Sequence, residues 1–111
     1  MEPIKILEYL LPDGTSPFYK WLHHDVRDLF FRGRIRQRLA RVRAGNFGNC
    51  RPVGKGVQEI KLDMGPGYRI YFGRRGSEII ILLCAGNKGT QVKDICLAIE
   101  YWEDYQRREK S

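Results

Sequence analysis

The stretch VQEIKLDMGPGYRIYFGRRGSEIIILLC, residues 57 to 84, decides the fold. Its period is two. Ile60 and Leu62 alternate with Glu59 and Lys61, and Tyr68, Ile70 and Phe72 alternate with Arg69 and Tyr71. A pleated strand sends successive side chains to opposite faces, so each run reads as a strand with one core face. MGPG at 64–67 turns the chain between the first two, and Gly76-Ser77 forms a tight hairpin turn before the third. That third run, EIIILLC at 78–84, is apolar on both faces and reads as a central strand.

Working outward, residues 25 to 44 carry Phe31, Ile35, Leu39 and Val42 at helical spacing, and Gly45 with Asn46 closes the helix. Ahead of it, Ser16 and Pro17 read as the N-cap and first turn of a short helix that turns Phe18, Trp21 and Leu22 inward. Residues 3 to 10 (PIKILEYL) form a first strand, ended by Pro12, Asp13 and Gly14. Residues 46 to 56 (NFGNCRPVGKG) read as a glycine-rich loop. Thr90 is the expected N-cap of a last helix bearing Ile95, Ala98, Ile99 and Trp102, with YQRREKS as a charged tail. The order is strand, helix, helix, three strands, helix. This predicts one α+β domain over all 111 residues, with a small, mainly antiparallel sheet packed by helices.

The formal charge is +7, and it is unevenly spread. No acidic residue lies between Asp28 and Glu59, an interval that holds Arg32, Arg34, Arg36, Arg38, Arg41, Arg43, Arg51 and Lys55. Such a block points to a polyanion or an acidic protein as partner, since a merely solvated helix face mixes signs. The longest apolar run, Ile79 to Ala85, is too short to span a bilayer, and MEPIKILEYLLPDG does not read as a secretory signal. Three scattered cysteines, Cys50, Cys84 and Cys96, form no CxxC and no metal-like pairing with His23 or His24. The expectation is a cytoplasmic protein with reduced thiols, no metal and no cofactor.

RIRQRLARVRAGNFGNCRPVGKGVQEIKLDMGPGYRIYF, followed by IILLCAGNKGTQVKDI and Ala98, resembles the RelE/ParE superfamily of bacterial toxins, in its HigB-like branch of addiction-module killer proteins. The likeness runs from about residue 17 to about residue 103. Its specific part is GVxEIK, GPGYRIYF and NKGTQxKDI in that order and spacing. The resemblance implies the RelE-like order β-α-α-β-β-β-α and a metal-independent endonuclease that cuts messenger RNA on the ribosome and so inhibits translation. In that reaction the 2′-hydroxyl attacks the adjacent phosphate and the 5′-oxygen leaves. It also implies a cognate helix-turn-helix antitoxin as partner, beside ribosome and messenger. A ParE-type gyrase poison and a non-catalytic RNA binder are the alternatives.

Such chemistry needs a proton acceptor, positive charge on the phosphate and a donor to the leaving oxygen. Arg69, where the family's active-site arginine falls, suits the phosphate through its two-pronged fork. Glu59 or Lys61 is the candidate base, and Tyr71 or Lys88 the candidate donor. Glu59 and Arg69 equally fit a structural ion pair between neighbouring strands. Arg32, Arg36, Arg38, Arg43 and Lys55 are candidate contacts to RNA phosphates, and Tyr68 or Phe47 can stack a base if exposed. Gln91 and Asp94 are expected to brace the first turn of the last helix, and His23 and His24 to lie at the surface. Two positions depart from the family pattern: Asn87 stands where an acidic residue is usual, and Lys61 where arginine is more common.

Overall fold

The computed structural model describes residues 2–110. Five strands, β1 (Lys5–Glu8), β2 (Cys50–Gly54), β3 (Val57–Leu62), β4 (Tyr68–Arg75) and β5 (Ile79–Asn87), form one sheet in the order β1-β5-β4-β3-β2. β1 runs parallel to β5 and the other pairings are antiparallel, so the sheet is mixed. Among the described residues no helix is long and apolar enough to cross a membrane.

Helices cover both faces. Helix α1 (Pro17–Lys20) runs into a wide π-type turn, Trp21–Asp25, and α2 (Leu29–Arg43) follows. Ser16 caps α1 by accepting from the Tyr19 amide, and Asp28 caps α2 by accepting from Phe30. Just past the end of α2 stands Gly45, whose φ of 93° lets its amide turn back to Val42. Ile35, Leu39 and Val42 of α2 pack with Phe18, Trp21 and Leu22 onto Ile60, Ile70, Phe72 and Leu82. Helix α3 (Gln91–Lys110) lays Ala98 and Trp102 on the opposite face, over Val57, Tyr71, Ile81 and Leu83.

Three expectations are corrected. Residues 46–56 are not all loop: Cys50–Gly54 pairs with β3 as an edge strand, placing a fourth strand between α2 and α3. Pro52 is tolerated there because an edge leaves one row of amides unpaired. The helical cap is Asn87 rather than Thr90. Asn87 accepts from the Gly89 and Thr90 amides while Thr90 Oγ1 accepts from the Asn87 amide, closing a box around a 3₁₀ turn, Lys88–Thr90. The charged tail is helical through Lys110, held where Arg75 pairs with Glu109 at 2.7 Å and Arg108 donates to the Leu10 carbonyl.

Candidate functional site: a buried arginine under a cationic rim

Antiparallel register lines up two rows of side chains on the α3 face. One runs Arg51, Glu59, Tyr71 and Cys84; the next runs Lys61, Arg69 and Gly86. The expected chemistry needs substrate to reach this face. It is instead a second core, because α3 brings its own apolar stripe. Glu59 keeps 1% of its surface and Arg69 5%, and Tyr71 is fully buried.

Arg69 is the centre of the arrangement. Its Nη1 donates to the carbonyls of Gly67, at 3.0 Å, and Tyr68, at 3.3 Å, which ties the guanidinium to the Met64–Gly67 turn. Gly67 makes this possible: its φ is 77°, and a Cβ there would sit 3.4 Å from Nη1. Nε lies 3.9 Å from Glu59 Oε1, an ion pair too long to be a hydrogen bond, and is buried without a partner. Leaving such a donor unmatched costs about 1–3 kcal/mol. Nη2 makes no hydrogen bond among the described residues and retains contact with solvent. The fork is therefore restrained on one prong and vacant on the other, a state that an incoming anion would complete.

Glu59 has other partners. Arg51 donates to Oε1 at 3.0 Å and Gln91 to Oε2 at 2.8 Å. Burial pushes its carboxyl up, but the hydrogen bonds from Gln91 and Arg51 outweigh burial and hold it below the usual range. A carboxylate so placed is a poor proton acceptor. Tyr71 faces Glu59 without a well-formed hydrogen bond, and burial with the Glu59 charge pushes its hydroxyl far up. Its place as a proton donor to solvent-borne substrate is corrected by this burial.

The depressed Glu59 pKa gives a stability prediction with a definite sign. A folded value below the unfolded one, about 4.3, means the contribution is full above that value and lost as pH falls through the folded one. Glu59→Gln is expected to melt at lower temperature near neutrality and to lose less than wild type on acidification. Melting curves from about pH 7 to about pH 3 check this; parallel slopes for the two proteins would refute it.

Around the buried fork stands a cationic rim. The Arg51 side chain is 62% exposed and that of Lys61 42%, with Lys61 lying 3.7 Å from Asp63. Lys88 is exposed on the 3₁₀ turn, and a Cβ on Gly67 would approach its Cβ to 3.5 Å. Sequence reasoning singled out Glu59, Lys61, Arg69 and Lys88 but missed Arg51 as their neighbour. The signal was the Cys-Arg-Pro-Val run, which as an edge strand sets Arg51 opposite Glu59.

The expected RNA contacts divide. Arg36 and Arg43 are exposed on α2. Arg38 is not free: it donates to the carbonyls of Lys61, Phe47 and Asn49, which seals the start of β2 against α2. Arg32 donates to the carbonyls of Val26, at 2.6 Å, and His23, at 3.0 Å, closing the turn before α2. Both guanidiniums are spent on backbone carbonyls at the ends of elements. Tyr68 is buried, edge-on to Trp21 at 5.5 Å and Phe31 at 5.8 Å, so it is not an open stacking platform. Phe47 stacks on Phe72 beneath Arg74, 4.7 Å away. Lys55 is exposed on the β2–β3 turn, whose neighbour Gly56 abuts Trp102 on the α3 side. α2 and the Arg69 cluster thus lie on opposite faces of the sheet.

Fold and site together define an α+β protein with a five-strand mixed sheet and a buried arginine beneath its last helix. An uncharacterized protein of Haemophilus influenzae is 40% identical over 81 residues, 73% of this chain and 81% of that protein. The chain belongs to the same family as that protein. No protein-family model matches the chain, and no solved structure matches it.

Proposed function

We propose that this protein is a RelE/ParE-type toxin of the HigB-like kind, a metal-independent, ribosome-dependent messenger endonuclease held in check by a helix-turn-helix antitoxin. The observation that carries this reading is Arg69: a guanidinium held by two carbonyls and an ion pair, with Nη2 unpartnered under Arg51, Lys61 and Lys88. Anions with several oxygens suit such a fork, and a transferring phosphoryl group accumulates charge where these donors point.

The roles then follow from exposure. Arg69 holds a non-bridging oxygen of the scissile phosphate, and Arg51 neutralises the approach. Glu59 orients Arg69. Lys61, directly opposite Arg69, and Lys88 are the groups within reach of solvent that can move protons at the 2′-oxygen and the leaving 5′-oxygen. The test is a translation reaction with a defined messenger, cut sites being mapped by primer extension with and without ribosomes. Cuts that require ribosomes support the proposal. Intact messenger in the presence of folded protein overturns it.

A second reading, a non-catalytic RNA binder, is favoured by one observation: the carboxylate and the phenol of the cluster are both sealed from solvent. Ribosome binding without cleavage in the same reaction would select it.

Arg36 and Arg43 lie on the exposed side of α2 and are assigned here to ribosomal RNA phosphates. Charge reversal of both (Arg36→Glu with Arg43→Glu) is expected to weaken ribosome association and to flatten its salt dependence by about two in log–log slope. Binding measured over about 50 to 200 mM salt decides, because phosphate contacts respond strongly there. An unaltered slope would remove α2 from the interface.

A further inference from the structure

Beside Arg69 lies a second feature that the phosphate chemistry does not use. Gly86 faces Arg69 in the sheet, and its missing side chain leaves room for Asp94 of α3: a Cβ on Gly86 would overlap Asp94 Oδ2 and come within 2.7 Å of Thr90 Oγ1. Asp94 keeps 8% of its surface. Thr90 Oγ1 donates to its Oδ2, whereas Oδ1 accepts no hydrogen bond among the described residues and is not sealed from solvent. Burial pushes this carboxyl up, against the Thr90 hydrogen bond and the Lys93 charge, so the group sits where a donor would relieve it.

The space in front of it is a cleft of about 280 Å³ lined by Trp21, Asp25, Pro66, Tyr68, Lys93 and Asp94, among others. A neighbouring hollow of about 340 Å³ shares Trp21, Asp25 and Asp94. The cleft lies just under, and the hollow just inside, the usual range of small-molecule sites, about 300–1,000 Å³, which suits one ring system. Trp21 and Pro66 contribute apolar edges beside the carboxylates. Lys93 offsets part of the charge of Asp25 and Asp94, which favours a neutral N–H donor over a cation.

We infer that this cleft is a subsite for a nucleobase that donates N–H groups, guanine best, flanking the phosphate held on Arg69. The inference rests on the RNA-cleaving reading and deepens it. With Oδ2 taken by Thr90 and packed on Gly86, Oδ1 accepts one N–H from cytosine or adenine, and from guanine it accepts the ring N–H and the exocyclic amine on its two lone pairs. Uracil offers acceptor oxygens on both sides of its ring N–H and is disfavoured. Asp94 thereby acts as a specificity residue, and Gly86 is the position that admits it.

The test is titration of isotope-labelled protein with the 3′-monophosphates of guanosine, adenosine, cytidine, uridine and inosine, followed by NMR. Guanosine is expected to bind about tenfold or more tightly than uridine, with shifts at the Trp21 indole and the Asp94 amide. Asp94→Asn, which retains an acceptor for Thr90, is expected to bring the two within about twofold. Should that variant fail to fold, inosine decides in wild type. Lacking the exocyclic amine, it is expected to bind several-fold more weakly than guanosine, and equal binding overturns the inference. Equal affinity for all four bases overturns the subsite and leaves the phosphate site standing. Failure of every nucleotide and of inorganic phosphate to bind overturns the Arg69 reading as well.

Discussion

Arg69→Ala is expected to reduce ribosome-dependent messenger cleavage by a factor of about a hundred or more, the loss seen when one preorganised donor to a developing oxyanion is removed. The factor is large because the wild-type fork needs no reorganisation. Its Nη1 is anchored on the Gly67 and Tyr68 carbonyls before substrate arrives. Arg69→Lys is expected to recover little, since an ammonium keeps the charge but loses the planar pair of donors and the anchoring geometry. Folding loss is not the expected cause. Glu59 retains Arg51 and Gln91 in the variant, so no buried charge is left alone. Rates from mapped cleavage, beside melting curves of both variants, separate the two effects. A fully active Arg69→Ala protein would end the catalytic role of this residue.

The second large effect concerns folding. Gly73→Ala is expected to destabilise the protein by about 2–3 kcal/mol, the scale of overpacking in a dense core. A Cβ at Gly73 would stand 2.5 Å from Cδ2, Cε3 and Cζ3 of Trp102, against the face of the indole. The ring has nowhere to retreat. Tyr105 stacks on it at 5.5 Å with planes 6° apart, and Gly56 leaves no spare room at Nε1. Helix α3 must then lift, and the roof of the Arg69 site lifts with it. A fall in Tm of about 10 °C or more is the expected reading for a domain of this size. Gly33→Ala in α2 is the control: a Cβ there meets nothing within 4 Å, so replacing a helical glycine should raise stability by up to about 1 kcal/mol. Equal, small effects at both positions would contradict the packing account.

Local periodicity was legible along most of the chain. The Tyr68–Arg75 strand was readable to the residue, and the stripes of α2 and α3 land on buried or half-buried positions. Arg69 and Glu59 were readable as neighbours because antiparallel register follows from the short MGPG turn. The strand at Cys50–Gly54 was not. Its amides are satisfied by a partner supplied by the tertiary fold, and glycines with a proline read as loop. Arg51 and Gln91, the two residues that hold Glu59, were hidden for the same reason: one depends on that strand and the other on where α3 begins.

By itself the sequence determined every strand but Cys50–Gly54, the inward stripes, the single acid-free basic segment and the arginine set among strand aromatics. Only the tertiary structure decided which face each helix covers. The stripe of α2 and the stripe of α3 are both apolar, and apolar burial is non-directional, so neither pattern names its side of the sheet. Their placement on opposite faces roofs the polar rows of the sheet, strips solvent from Glu59, Arg69 and Tyr71, and sets the basic helix across the sheet from that cluster. Desolvation depends on what lies above a residue in space. For Arg69 that roof is a helix whose first residue stands 22 positions further along the chain.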